Sequence, residues 1–345
     1  MITGAQSILV IHTAGLARTT LALPALRSLR QHFPQSRITV VSGATATELL
    51  RLAQCADEVL PVGRFRHGEI VAPGKFYRST KSLGALRRLY FDLAIPFHSG
   101  AETEILLQFA QPQARLDKEK TLPQGIQAVL ERVSKALSPH SAVRPHLAHE
   151  YLRKLEPLGV RPLEAEPRLN TDRAADEHLE KFLQKHGVAF GELLVGIHPG
   201  AGLKQNVWPQ ERFASLAARL IHNFNARVLV FAGPHERGQA KRLVSALPAK
   251  RALAFEAPKL PDLISAFARL SLLVANHSGP AHVAAAVGTP VVVISPHPQA
   301  TAEDVLGPRC EHVRGAHIEL ISEEAVYEAA CRLLKINRAE FLRSR

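Results

Sequence analysis

Cysteine is scarce in this chain of 345 residues: three, at Cys55, Cys310 and Cys331, odd in number and far apart. Such spacing excludes a disulfide framework and offers no set of metal ligands. Cys55, in an apolar segment, reads as a buried structural thiol. Long apolar runs are also missing, so no segment is suited to span a bilayer. The short run over residues 8–11 lacks the basic approach and the length of a secretion signal. The cytoplasm is therefore the expected location. Aromatic residues are few, at 6%, and no nucleic-acid module signature occurs. That argues against a platform for stacking bases, and no nucleic-acid partner is expected. Acids are outnumbered, 31 against 43 Lys and Arg, which gives a net charge of +12. Such a balance favours an anionic partner without choosing one. The excess is densest at Arg64, Arg66, Lys75, Arg78, Lys81, Arg87 and Arg88, where Glu69 is the one acid in between.

What is present is core-forming material, 46% hydrophobic residues, enough for two domains at this length. Short β-branched runs alternate with helical stretches. In the first half, strands are expected over 7–12, 37–41, 58–62 and 91–95. Helices are expected over 21–32, 44–53, 83–89 and 146–158. Residues 63–81 read as a loop, and 117–144 as irregular with a helical middle at 126–137. Pro157, Pro162 and Pro167 mark a linker. The second half repeats the scheme, with strands over 193–198, 227–232, 272–275 and 291–295. Its helices are expected over 209–224, 235–247, 260–268 and 322–335, with Pro209 as a first helical residue and Ser322 as a cap. Strand–helix alternation predicts parallel sheets with helices on both faces, and ligands at the carboxyl ends of their strands.

Three strand-to-helix loops of the second half carry the candidate chemistry. The first, His198 to Pro209, holds Gly200, Ala201 and Gly202, where backbone can approach a ligand closely, with Lys204 and Asn206 behind them. It lacks the Gly-Lys-Ser/Thr of a Walker loop. The second is Gly233-Pro234-His235-Glu236, whose carboxylate is suited either to ribose hydroxyls or to a helix first turn. The third runs Asn276-His277-Ser278-Gly279-Pro280-Ala281-His282 into a small-residue helix, offering free N–H groups at a helix start. Together they suggest a site for a nucleotide diphosphate.

The motifs then allow a comparison. His-Pro-Gly-Ala with Trp-Pro-x-Glu-x-Phe over 198–213, Gly-Pro-x-Glu over 233–236, and Ser-Gly-Pro-x-His-x-Ala-Ala-Ala-x-Gly-Thr-Pro over 278–290 resemble the lipopolysaccharide heptosyltransferase family (glycosyltransferase family 9). Residues 8–30 and 87–95 resemble that family's first strand and helix and a later strand. The resemblance implies an α/β fold of GT-B architecture, two Rossmann-like doubly wound domains facing a cleft. It implies an acceptor domain over 1–165, a nucleotide-sugar domain over 166–320, and a last helix over 321–345, which in such folds often crosses back to the first domain. It also implies an inverting, metal-independent transfer of heptose from an ADP-sugar to a lipopolysaccharide-core-like phosphorylated glycolipid. No cofactor is implied beyond the ADP-sugar substrate, and peripheral contact with the inner membrane face would suit the basic stretch. Donor-binding positions carried over are Gly200, Ala201, Gly202, Lys204, Asn206, Glu236, His277, Ser278, Gly279, Pro280 and His282. Acceptor-side positions are Gly15, Arg18 and Thr19.

The chain departs from the family at three charged positions. Arg18 stands at the position of the family's proposed base, and arginine cannot accept a proton at neutral pH. Asn206 stands where the family keeps a phosphate-binding lysine, with Lys204 two residues earlier. His277 stands where the family keeps an acid. Three readings stay open at this point: relocated chemistry with His98 or Glu102 as base, an altered donor or acceptor, and a catalytically degenerate GT-B protein that binds a nucleotide sugar or a partner.

Overall fold

The computed structural model describes residues 4–62, 80–116, 145–233, 237–256 and 259–343. It divides into two compact units. Unit 1 is Met1–Ala165 with Thr301–Glu303, and unit 2 is Glu166–Ala300 with Asp304–Arg345. The helical middle expected over 126–137 and most of the basic loop lie outside the described residues.

Unit 1 is built on a parallel sheet ordered β3-β2-β1-β4-β5. Its strands are β1 (Ser7–His12), β2 (Arg37–Gly43), β3 (Glu58–Val62), β4 (Leu93–Pro96) and β5 (Ala114–Arg115). Ile8, Leu9, Val10 and Ile11 are almost wholly excluded from solvent, as expected for the central strand of a sheet covered on both faces. The chain lays β2 and β3 to one side of β1, then places β4 on the other. The carboxyl ends of β1 and β4 therefore flank a topological switch point. Ile11 pairs with Pro96 there.

Helix α1 (Leu16–His32) follows β1. It begins five residues earlier than its apolar stripe suggests, because its N-cap is Gly15, which has no side chain to signal a start. Arg18 and Thr19 consequently lie in its first turn. Helix α2 (Thr47–Ala53) and helix α3 (Thr80–Arg88) follow β2 and precede β4. Arg87 and Arg88, at the end of α3, are exposed. Helix α4 (Ala101–Ala110) leaves β4 after Gly100, whose φ of +148° belongs to glycine. The segment expected as one helix over 146–158 is split into α5 (Leu147–Arg153), which packs on α1, and a 3-10 turn, Glu156–Leu158.

Unit 2 is a parallel sheet ordered β11-β10-β9-β6-β7-β8. Its strands are β6 (Leu194–His198), β7 (Arg227–Phe231), β8 (Ala252–Phe255), β9 (Leu272–Asn276), β10 (Val291–Ser295) and β11 (Cys310–Arg314). Here β6 and β9 flank the switch point, with His198 opposite Ala275. Its helices are α6 (Arg173–Lys185), α7 (Gln210–Phe224), α8 (Arg237–Ser245), α9 (Leu260–Ala268), α10 (Gly279–Ala286) and α11 (Glu323–Arg343). Pro209 is the N-cap of α7 and not its first turn. Ser322 accepts a hydrogen bond from the Ala325 N–H through its Oγ at 3.2 Å at the start of α11. The last helix buries Val326, Ala329, Ala330, Leu333 and Leu334 in the core of unit 2, with Trp208, Phe213 and Ile294. No described helix is long and apolar enough to cross a membrane.

Candidate active site

The carboxyl edge of the unit 2 sheet gathers two of the three loops singled out in the sequence. The loop after β6 buries Pro199 and Gly200 and exposes Gly202. It then makes a 3-10 turn over Lys204–Asn206, closed by the Asn206 N–H donating to the Leu203 carbonyl at 3.0 Å. The loop after β9 enters α10 at Ser278. Asn276, the fully buried last residue of β9, ties the two loops together. Its Nδ2 donates to the Pro199 carbonyl at 2.7 Å, and its Oδ1 accepts from the Trp208 N–H at 3.1 Å. This clamp was not read from the sequence, although an asparagine closing the run Leu-Leu-Val-Ala is a polar residue at a buried strand end and needs partners. Trp208 is wholly buried, edge-on to Phe213 at 4.9 Å, and its Nε1 donates to the Ile321 carbonyl at 2.9 Å. It anchors the loop and offers no face to a sugar.

Ser278 is the N-cap of α10 by position, yet it makes no side-chain cap hydrogen bond. Its Oγ is buried and has no hydrogen-bond partner among the described residues. A buried hydroxyl left in that state normally costs about 1–3 kcal/mol, a cost that a ligand oxygen at this helix start would remove. The free N–H groups of the first turn and the positive end of the helix dipole lie in the same place. Gly279 and Pro280 form that first turn, and His282 is buried one turn along. His277 packs edge-on to His282 at 5.5 Å and to His297 at 6.2 Å. Three imidazoles therefore sit where one acid would be expected. Glu236 lies outside the described residues, as do its neighbours Pro234 and His235. Among the described residues no group of His, Cys, Asp and Glu is arranged to hold a metal ion.

Unit 1 concentrates titratable groups at its own switch point. His12, the last residue of β1, is fully buried. Its Nε2 is 3.0 Å from Thr19 Oγ1, and its ring lies 4.7 Å from that of His98 and 5.5 Å from that of Tyr151. Burial, with His98, Arg18 and Lys154 nearby, holds the His12 imidazole well below its usual pKa, so it is neutral. Tyr151 Oη is 3.5 Å from His98 Nε2, and burial raises its pKa, so it stays protonated. Lys154 Nζ donates to the Phe97 carbonyl at 2.5 Å.

Arg18 is in the first turn of α1, where a cation opposes the helix dipole. Glu303, from the short segment that joins unit 1, answers it: Arg18 Nη2 lies 2.5 Å from Glu303 Oε1, and this hydrogen bond raises the guanidinium pKa further. Gly15, beside it, is exposed. Glu102, in the first turn of α4, is half-buried. Burial lifts its carboxyl to a pKa of about 7, and the hydrogen bond from the Thr13 side chain offsets this only in part. Its Oε1 has no hydrogen-bond partner among the described residues. The Thr13 backbone passes close to Gly43 at the end of β2, where an added Cβ would lie 2.6 Å from the Thr13 carbonyl oxygen.

The sequence profile of glycosyltransferase family 9 (heptosyltransferase) matches residues 81–319, more than half of the chain. A Haemophilus influenzae protein provisionally described as a glycosyltransferase is 23% identical over 296 residues, 85% of this chain and 83% of that protein. The glycosyl transferase family 9 structure from Veillonella parvula superposes with a TM-score of 0.75 at 21% identity, covering 97% of this chain and 98% of its own. The E. coli heptosyltransferase WaaC with ADP superposes with a TM-score of 0.70 at 19% identity, covering 95% and 99%. The two parallel sheets with their helices are the α/β GT-B fold of those enzymes.

Proposed function

The chain belongs to glycosyltransferase family 9, the heptosyltransferases, and on that footing we propose that it transfers heptose from an ADP-sugar to a lipopolysaccharide-core-like phosphorylated glycolipid. The donor diphosphate would lie against the start of α10 and the backbone of Gly200 to Asn206. The observation that carries this reading is the buried Ser278 Oγ, without a hydrogen-bond partner among the described residues, at a helix start beside the β6–β9 switch point. The heptosyltransferase WaaC of similar fold was solved with ADP, which supports adenine nucleotide as the first donor to try.

In an inverting transfer the acceptor oxygen attacks the anomeric carbon from the face opposite the diphosphate. The leaving group departs with additional negative charge. N–H groups of the α10 first turn, Ser278 Oγ–H and the neighbouring imidazoles His277 and His282 would stabilise that charge without a metal. The acceptor would dock on unit 1, and the basic stretch from Arg64 to Arg88 would face its phosphates or an anionic inner-membrane surface.

The test is thermal unfolding of the full chain with ADP and other nucleoside diphosphates, followed by transfer from ADP-heptose to a heptose-deficient core glycolipid. ADP at a hundredfold excess over its Kd should stabilise by about 2.7 kcal/mol. Stabilisation by ADP together with product formation supports the proposal. ADP binding with neither transfer nor donor hydrolysis would instead make the chain a nucleotide-sugar-binding GT-B scaffold. No stabilisation by any nucleoside diphosphate would reject the donor site.

A further inference from the structure

Transfer to a hydroxyl needs a group to take its proton, and Arg18 cannot be that group. The unit 1 switch point offers few alternatives. His12 is wholly buried with Nε2 engaged by Thr19, so it cannot meet a substrate. Tyr151 holds its proton, and Lys154 is committed to the Phe97 carbonyl. Glu303 is engaged by the Arg18 guanidinium. Glu102 differs from all of these. Its side chain is partly exposed at the start of α4, its buried Oε1 lacks a partner among the described residues, and the Thr13 side chain from the loop after β1 favours its charged form.

Resting on the transfer reading above, we propose that the Glu102 carboxylate is the general base of this enzyme, with Thr13 as its positioning residue. In the step, a Glu102 oxygen takes the proton of the acceptor hydroxyl. The acceptor oxygen forms a bond to the anomeric carbon as the anomeric carbon–phosphate oxygen bond breaks, and its electron pair leaves with the diphosphate. The proton on Glu102 returns to solvent before the next turnover. A base that ionises near neutrality suits this task, since it is free at working pH and still basic. Other titratable and charged groups on the surrounding elements are His12 on β1, Arg18 on α1, His98 after β4, and Arg87 and Arg88 on α3, which packs against α4. On α4 itself Glu104 is paired with Arg115 at 2.5 Å.

The experiment uses the full chain, with ADP-heptose and the core glycolipid. Parent kcat should rise with pH through about 7. Glu102→Gln should lower kcat by about 10²–10⁴-fold and abolish that rise, while the affinity for ADP stays within twofold and so reports an intact fold. Thr13→Val removes a hydrogen bond that favours the charged carboxylate, so it should keep the rise but move it to higher pH. A merely structural Thr13 would not move it. Parent transfer with Glu102→Gln at full kcat, or with the rise retained, overturns the proposal. If His98→Asn abolishes the rise instead, the role belongs to His98. Absence of transfer in the parent removes the transfer reading and this proposal with it.

Discussion

Replacing Glu102 by glutamine should stabilise the protein at pH 8 while disabling it. In the folded chain burial raises the Glu102 pKa from the ordinary 4.5 to about 7. Between those values the folded state keeps a proton that the unfolded state has lost. Stability therefore falls as pH rises through this window, and the penalty is complete above the folded pKa. At about 1.4 kcal/mol per pH unit, the full difference is roughly 3.4 kcal/mol. The carboxyl is partly exposed, and solvent screening reduces this to about 1–2 kcal/mol. Glutamine is nearly isosteric with the neutral acid and has no such slope. The variant should thus match the parent near pH 4.5 and exceed it by about 1–2 kcal/mol at pH 8. For a unit of this size that is a rise in Tm of about 2–8 °C. Thermal unfolding at pH 5 and pH 8, on both proteins, measures it. The competing role, a carboxylate placed to favour the α4 dipole, has the opposite sign and would cost the variant about 0.3–1 kcal/mol. A variant no more stable than the parent at pH 8 would therefore refute the reasoning. Gain of stability with loss of activity is the pattern of a group kept for function.

Further perturbations test the donor side and the replaced position. Ser278→Ala should weaken ADP binding about tenfold or more by removing a charge-assisted hydrogen bond. The Tm without ligand should rise, since the substitution removes a buried hydroxyl that has no partner among the described residues; equal ADP affinity by calorimetry would exclude the hydroxyl from the site. Asn276→Ala strands the Trp208 N–H and the Pro199 carbonyl and should cost about 2–4 kcal/mol in denaturant unfolding. A cost below about 0.5 kcal/mol would mean that the two loops hold themselves. Arg18→Asp sets a carboxylate opposite Glu303 and should bring no gain in turnover, alone or with His277→Asp; a tenfold gain in either assay would return the base to position 18.

Much of the fold is legible in the chain because buried parallel strands are short apolar runs. The runs at β1, β3 and β10 coincide with the strands found, Ser7–His12, Glu58–Val62 and Val291–Ser295. Elements that bury only one side escape such a reading. Edge strand β11, Cys310–Arg314, is half-exposed along its length and carries Glu311, His312 and Arg314. Helix α4 starts at a glycine with no capping side chain, as α1 does, so its onset has no sequence mark. The loops after β6 and β9 announce themselves by glycine and proline, because close backbone approach and helix starts require those residues. The Asn276 clamp joins positions 77 and 68 residues away in the chain, and no local pattern encodes such a partner.

By itself the sequence determined the class of protein: parallel α/β layers, glycine- and proline-marked loops after β6 and β9, and a cation at position 18 that cannot serve as base. These follow from local preferences, the period of burial and fixed side-chain chemistry. Tertiary structure decided which acid can ionise near neutral pH. Glu102 and Glu104 are two residues apart on one helix, yet Arg115 holds the pKa of Glu104 below its ordinary value while burial lifts Glu102 to about 7. A carboxyl group acquires its proton affinity from the solvent it loses and the charges beside it, and both are set only when distant segments pack.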